Sequence, residues 1–300
     1  MDSKLNNLLK RLQHEMQGFS KGQKLIASYI SEHIEKAAYM TAARLGEIVG
    51  VSESTVVRFA VELGYDGYPN MQKALQEISR SKLTLLQRVE VSNLKVNPDQ
   101  VLKSVLQADM DNIKQTMEDL DNLEFIKTID AIMAGKKIYI LGVRSSAPLA
   151  SFLGFYFNLL LDNIRLVHTT SVSEMFEQIL NVGKDDVVIG ISFPRYSSRT
   201  LKAIRYACDQ GATTVAITDS KESPLAQVST HSLIARSDMA SFVDSLVAPL
   251  SVINALLVAV CQRRTDHITR TFDKLEKIWD EYKVYEKYEQ EDSILEDSND

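Results

Sequence analysis

Two rhythms of hydrophobic residues divide this chain. Over roughly the first 80 residues the pattern is helical throughout, with apolar positions three and four apart and no strand-like alternation. From Lys136 onward, short β-rich apolar runs alternate with helix-length stretches: "KIYILGV", "NIRLVHT", "DVVIGIS", "TTVAITD" and "HSLIARS". Runs apolar on both faces, joined by helical connections, predict a parallel sheet covered on both sides. Such crossovers are right-handed almost without exception. The expected fold class is α + α/β: an all-helical amino-terminal domain, then a three-layer α/β/α sandwich on a parallel five-stranded sheet. The expected boundaries are residues 1–80 for the first domain and 101–272 for the second. Residues 81–100 read as a linker, because "LTLLQRVEVSNLKVNPDQ" loses the helical pattern and Asn97-Pro98-Asp99 is a turn or helix-start signal.

Within the first domain, "TAARLGEIVGVSESTVVRFAVELGY" carries the sharpest local signal. Thr41 is a good cap for a helix over residues 42–49, and Gly50 can take the left-handed conformation that ends it. Ser52 then caps a second helix over 53–63, which stops before Gly64. Two short helices joined by a tight glycine turn describe a helix-turn-helix. At about 100° per residue, Phe59, Leu63, Val56, Ala60, Val57 and Val61 fill a broad apolar arc. Ser54, Arg58, Glu62 and Thr55 gather in the remaining polar arc. That side suits a major groove, hydroxyls and one arginine meeting phosphates and base edges. An ordinary helical hairpin with a solvated polar face fits the same pattern.

In an open parallel sheet, ligands bind outside the carboxyl ends of the strands. Here those ends carry "GVRSSAP", "HTTSVSE", "SFPRYSSRT" and "TDSKESP", all rich in hydroxyls. Ser145/Ser146 and Ser197/Ser198 each open a helix directly after a strand. Helix starts offer backbone N–H groups and a partial positive charge that suit an oxyanion. Ser192, Arg195, Ser197, Ser198 and Thr200 together read as an anion cradle, because arginine grips an oxyanion through two parallel bonds. Simple helix capping accounts for any one such loop; several on one edge point to a site.

Composition adjusts this picture only at the margins. Of 300 residues, 45% are hydrophobic and 25% charged, with a net charge of −6. Much of the acidity is terminal, since residues 273–300 hold 4 Lys/Arg against 11 Asp/Glu. A tail of that kind does not oppose a small DNA-reading surface, because screening limits its field to about 10 Å. Leu275, Ile278, Trp279, Tyr282 and Tyr285 fall at helical spacing there, predicting an amphipathic helix, with the last ten residues expected to be disordered. Cys208 and Cys261 lie in apolar helical patterns and read as buried thiols of a reducing cytosol, so a cytoplasmic location is expected. The five histidines show no metal-ligand spacing. No Gly-x-Gly-x-x-Gly or Gly-x-x-x-x-Gly-Lys-Ser/Thr occurs, so no cofactor is expected. The uncharged runs 145–161 and 245–262 are marginal for a span and broken by polar residues or proline, so no membrane partner is expected.

The segment "VSESTVVRFAVELGYDGYPNMQKAL" resembles the amino-terminal domain of RpiR-type transcriptional regulators, which join it to a sugar isomerase (SIS) domain. On that resemblance Ser52, Ser54, Thr55 and Arg58 fall on recognition-helix positions. Lys73 is added as a phosphate contact from its charge. The region 101–272 resembles an SIS domain, whose two serine-rich loops hold the phosphate of a phosphosugar. "GVRSS" corresponds to the first loop, and "SSRT" lines up with the usual Ser-Gly-x-Thr. The departures are Ser198 in place of glycine and the bulk of Arg195-Tyr196 before it, which imply an unusual phosphosugar or another anion. Asp219 and Ser220 of "TDSKESPLA" match near the site edge, and Glu174 falls on a family glutamate.

The resemblance therefore implies a regulator that associates with itself as a dimer or tetramer, binds a double-stranded, palindromic operator, and senses a phosphorylated sugar or related anionic metabolite. A coupling of about 1–3 kcal/mol between the two sites changes affinity roughly 5- to 150-fold. The runner-up is an SIS-type sugar-phosphate isomerase with an appended helical domain, in which Glu174 or His168 would move protons.

Overall fold

In the computed structural model, which describes residues 11–12, 15–79, 83–168, 171–239 and 241–285, three of the amino-terminal helices begin where the sequence offers a capping hydroxyl. Of these, α1 (Lys21–Glu32) starts at Ser20, whose Oγ accepts from the Gln23 N–H while the Ser20 N–H donates to Gln23 Oε1. A short α2 (Ile34–Ala37) follows. Thr41 caps α3 (Ala42–Val49), which ends at Gly50 with φ 75° and ψ 36°. Only a residue without Cβ takes that left-handed turn at no steric cost. Ser52 caps α4 (Glu53–Glu62), and α5 (Tyr68–Ser79) completes the unit. Ile26, Ile30, Leu45, Val56, Phe59, Leu63, Met71 and Leu75 form its core. Phe19 meets Phe59 edge-on with ring centroids 5.3 Å apart, a favoured aromatic geometry.

The stretch expected to be a linker is helical over much of its length. Thr84 caps α6 (Leu85–Lys95) through the same reciprocal box, with Gln87 as its third residue. Its apolar side is narrow, and Leu83 and Val91 find their partners in Met239 and Tyr39, far away in sequence. That is why local pattern did not reveal it. Next come α7 (Val101–Glu118) and α8 (Asn122–Ala134).

All five expected strands form: β1 (Ile138–Gly142), β2 (Ile164–Val167), β3 (Val187–Ile191), β4 (Thr213–Thr218) and β5 (His231–Ile234). They make one parallel sheet in the order β2-β1-β3-β4-β5. Between and after them run α9 (Ala147–Leu160), α10 (Val172–Ile179), α11 (Ser198–Asp209), α12 (Val247–Arg263) and α13 (Thr265–Glu281). Alternate strand residues face opposite layers, as the pleat requires. Ile138, Ile140, Ile189, Ile191, Val215 and Ile217 pack with residues of α8, α9 and α12. Tyr139, Leu141, Val188 and Ala216 pack with residues of α10 and α11. The three-layer sandwich follows from that division.

The uncharged runs 145–161 and 245–262 are these core helices, α9 and α12 with their caps. Among the described residues no single helix is long and apolar enough to cross a membrane. The amphipathic tail segment is α13, with Trp279 and Tyr285 in edge-on contact at 5.3 Å. The last ten residues, His14 and the Thr169-Thr170 pair of the second edge loop lie outside the described residues. Cys208 is half-buried and donates to the Val228 carbonyl at 3.1 Å; Cys261 is half-buried against the core.

Candidate functional site

Two surfaces carry the candidate chemistry. The first is α4. Its start holds a cluster of three hydroxyls: Ser52 Oγ lies 2.9 Å from Ser54 Oγ and 2.8 Å from Thr55 Oγ1. One turn on, Arg58 is exposed, with Nε donating to the Ser54 carbonyl at 3.3 Å. The structure thus brings Ser52, Ser54, Thr55 and Arg58 onto one open face. Glu62 on the same face is held by Gln23 of α1.

The apolar arc of α4 is narrower than its periodicity implied. Val56, Phe59, Ala60 and Leu63 are buried, whereas Val57 is 37% and Val61 56% exposed. Both valines belong to the open face, beside Ser54 and Arg58. The neighbouring helices close over about a third of the α4 circumference and leave the flanks bare, which a single-helix projection cannot anticipate. Lys73 lies apart from this face. It lines a cleft of about 230 Å³ with Glu77, Glu118, Asp119, Arg236 and Asp238, between α5 and the second domain. Lys73 is exposed at its rim, and Glu77 and Asp119 of the cleft pair with Arg236, at 3.9 and 2.9 Å.

The second surface is the carboxyl edge of β1 and β3, adjacent strands whose ends are level, with Gly142 opposite Ile191. The chain runs from β1 outward to β2 and returns past β1 to β3, so this is the switch point of the sheet. After β1, residues 143–146 fold back on the strand. A Cβ on Gly142 would lie 2.6 Å from the Ser146 carbonyl oxygen, so glycine is required there. Ser145 is exposed; Ser146 is buried at the start of α9 and makes no capping bond.

After β3 the loop is tied by side chains. Ser192 Oγ accepts from the Ser197 N–H at 3.0 Å. The Tyr196 hydroxyl donates to Asp219 Oδ1 at 2.9 Å, so the buried Asp219 holds the loop from the end of β4. Ser197 caps α11, its Oγ accepting from the Arg199 N–H at 3.2 Å and the Thr200 N–H at 3.4 Å. Those bonds do not use its hydroxyl proton, which remains a donor. Ser198 is exposed. Thr200 is fully buried, and its Oγ1 has no hydrogen-bond partner among the described residues. A buried hydroxyl left in that state costs about 1–3 kcal/mol.

Two arginines on these loops hold unusual backbone. Arg144 has φ 57° and Arg195 φ 60°, in the left-handed region where L side chains are strained. Arg195 was visible in the sequence as a charge beside the hydroxyls. Arg144 was passed over, and only its dihedral singles it out. Ser220 is occupied in its own turn, donating to Glu222 Oε2 at 2.5 Å and accepting from the Glu222 N–H at 3.1 Å. Glu174 stands in the first turn of α10, its N–H donating to the capping Ser171 Oγ at 3.1 Å.

A deeper cavity of about 330 Å³ lies at the β5 edge, walled by Leu120, Phe125, Leu233 and Val252. Its carboxylates are matched: Glu124 meets His231 Nδ1 at 3.0 Å, and Asp119 meets Arg236 at 2.9 Å. It has the character of an apolar recess, and the hydroxyl-rich edge is the better place for an anion. Among the described residues no group of three or more His, Cys, Asp and Glu side chains is arranged to hold a metal ion.

Two family models match the chain: a helix-turn-helix domain of the rpiR family over residues 6–82, and a SIS domain over residues 132–259. The chain belongs to the RpiR family. This RpiR chain is 24% identical over 267 residues to the HTH-type transcriptional regulator HexR of Escherichia coli, covering 86% of this chain and 89% of that protein. It is 23% identical over 268 residues to HexR of Pseudomonas aeruginosa, covering 87% and 91%. The sugar isomerase domain of an RpiR transcription factor from Sphaerobacter thermophilus superposes with a TM-score of 0.56 and 26% identity, over 59% of this chain and 99% of that one. The Vibrio vulnificus NanR protein complexed with ManNAc-6P superposes with a TM-score of 0.55 and 19% identity, over 93% and 100%. The two HexR proteins are transcriptional regulators and the Sphaerobacter protein is a transcription factor, and the fold shared with NanR spans both domains.

Proposed function

We propose that this RpiR chain is a transcriptional regulator, not an enzyme. Its α4 face reads duplex DNA, and its SIS domain senses a phosphorylated sugar or related anionic metabolite. The observation that carries the effector reading is Thr200. A fully buried hydroxyl, unpartnered among the described residues, stands at the third residue of α11, two residues after exposed Ser198 and three after the capping Ser197. An oxyanion at that helix start would supply the missing acceptor and meet the positive end of the helix dipole. Ser146 on the neighbouring loop, uncommitted to capping, offers a second hydroxyl. The complex of NanR with ManNAc-6P supports a phosphosugar as the ligand class.

The DNA reading rests on the hydroxyl cluster and Arg58 of α4, with Val57 and Val61 beside them. Self-association is part of the proposal. On α7, Leu102 is 74%, Leu106 54%, Met110 61% and Met117 71% exposed, an apolar stripe too large for a face meant for water. A second copy covering it would set two α4 helices at a fixed spacing, which requires a palindromic operator. The setting is the cytoplasm.

The test is a gel-shift selection of genomic fragments by the purified chain, repeated with sugar phosphates and at increasing salt. A preferred sequence, an affinity that falls steeply with salt and a shift on adding a sugar phosphate are expected. Absence of any preferred fragment, or a flat salt dependence, sinks the DNA reading. Turnover of a sugar phosphate by the pure protein sinks the regulator reading in favour of an isomerase.

A further inference from the structure

The strained arginines ask for an explanation that the fold does not provide. Arg144 and Arg195 stand at φ 57° and 60°, where glycine would be comfortable and an L residue loses stability. Both side chains are exposed, and neither makes a hydrogen bond or ion pair with a described residue. They therefore repay none of the strain through the folded chain itself. Their places are not scattered: Arg144 follows the end of β1 by two residues, Arg195 follows the end of β3 by four, and those strand ends lie side by side. Both loops are pinned. Behind Arg144 the chain returns at Ser146 so close to Gly142 that a Cβ there would not fit, while Asp219 holds Tyr196 next to Arg195. The start of α11, with the orphaned Thr200 hydroxyl, follows directly on the second of these loops.

From this juxtaposition we infer that the effector carries two acidic groups: a phosphate at the start of α11, and a second anionic group gripped by Arg144 and Arg195. The inference rests on the effector-site reading above and narrows it from phosphosugars in general to doubly acidic ones. A neutral sugar ring end needs hydrogen-bond donors and acceptors, and a pair of guanidiniums offers donors alone. Two planar forks suit a carboxylate or a second phosphate, each of which accepts bidentate bonds. Holding the arginines in strained turns fixes their direction before the ligand arrives, which reduces the ordering cost on binding.

Three probes that share the 6-phosphate and differ in the charge at carbon 1, with 6-phosphogluconate the open-chain member, separate the possibilities: glucose 6-phosphate, 6-phosphogluconate and glucose 1,6-bisphosphate. Titration calorimetry on the full chain is expected to show at least one of the last two binding about tenfold or more tighter than glucose 6-phosphate, near the low end for charge-assisted bonds at exposed groups. Preference for 6-phosphogluconate identifies a carboxylate as the second group, and preference for the bisphosphate a phosphate. The variant Arg144→Gly/Arg195→Gly should bind the three alike. It should also melt higher than the parent, because glycine relieves both turns, so loss of preference cannot be put down to misfolding. Equal affinity of the parent for all three overturns the inference and leaves the phosphosugar reading standing. So does a preference that persists in the glycine variant. Failure of all three to bind at millimolar concentration overturns both.

Discussion

Removing the Asp244 carboxylate should destabilise the protein far more than removing its partner arginine together with it. Arg88 lies on α6, and its side chain is only 3% exposed; Asp244, in the loop before α12, is 11% exposed. Arg88 Nη1 donates to Asp244 Oδ1 at 3.0 Å and to the Phe242 carbonyl at 3.4 Å, while Nε and Nη2 have no partner among the described residues. The guanidinium is thus out of water with one carboxylate as its main compensation. Asp244→Ala strands that charge, and breaking a buried pair from one side costs about 3–5 kcal/mol. Replacing both, as Arg88→Met with Asp244→Ala, removes the charge and fills its space with apolar atoms, so the loss should fall to about 1 kcal/mol or less. Urea unfolding followed by circular dichroism on the two single variants and the double variant gives the coupling directly. A single-variant loss below about 1 kcal/mol, or a double-variant loss equal to the sum of the singles, would refute the reasoning. Because this pair joins α6 to the sandwich, the double variant should also show a smaller effector-induced change in operator affinity, with basal operator affinity retained.

Three further outcomes are expected. Thr200→Val keeps the shape of a buried side chain and deletes its orphan hydroxyl, so thermal melting should show a gain of about 1 kcal/mol while sugar phosphates cease to shift operator binding; a loss of stability would mean that Oγ1 is satisfied in solution. Val57→Ala should weaken operator binding roughly fivefold by losing contact with a thymine methyl group, and replacing that thymine with uracil in the selected operator should add nothing further; additive losses would place Val57 elsewhere. Burial pushes the Tyr68 phenol up to about 12 from 10.0, and its hydroxyl donates to the Met40 carbonyl at 2.7 Å. Because the folded state favours the neutral phenol, this stabilisation is complete below about pH 10 and fades as pH rises towards about 12. Urea midpoints at about pH 9 and 11 should therefore fall less in Tyr68→Phe than in the parent, and equal falls would count against it.

Local chemistry alone set much of this molecule. Thr41, Gly50 and Ser52 each satisfy or terminate a helix end within three or four residues, so the helix-turn-helix was legible without any tertiary contact. The five strands were legible because a doubly covered parallel sheet demands runs apolar on both faces, and few other structures do. The hydroxyl-rich edge followed from the rule that such strands present their carboxyl ends to ligands. Folding decided what depends on partners distant in sequence. Helix α6 is held by Met239 and by the Arg88–Asp244 pair across some 150 residues of chain, an interaction invisible to a periodicity of 3.6. Val57 and Val61 were assigned inward by angle and turned outward because neighbouring helices cover only part of α4. Lys73, picked out by charge alone, lines a cleft together with Glu118 and Asp119 of the second domain, a neighbourhood that only folding creates. The left-handed turn at Arg144 is the extreme case, since an arginine's own preferences oppose it and no neighbouring residue type announces it.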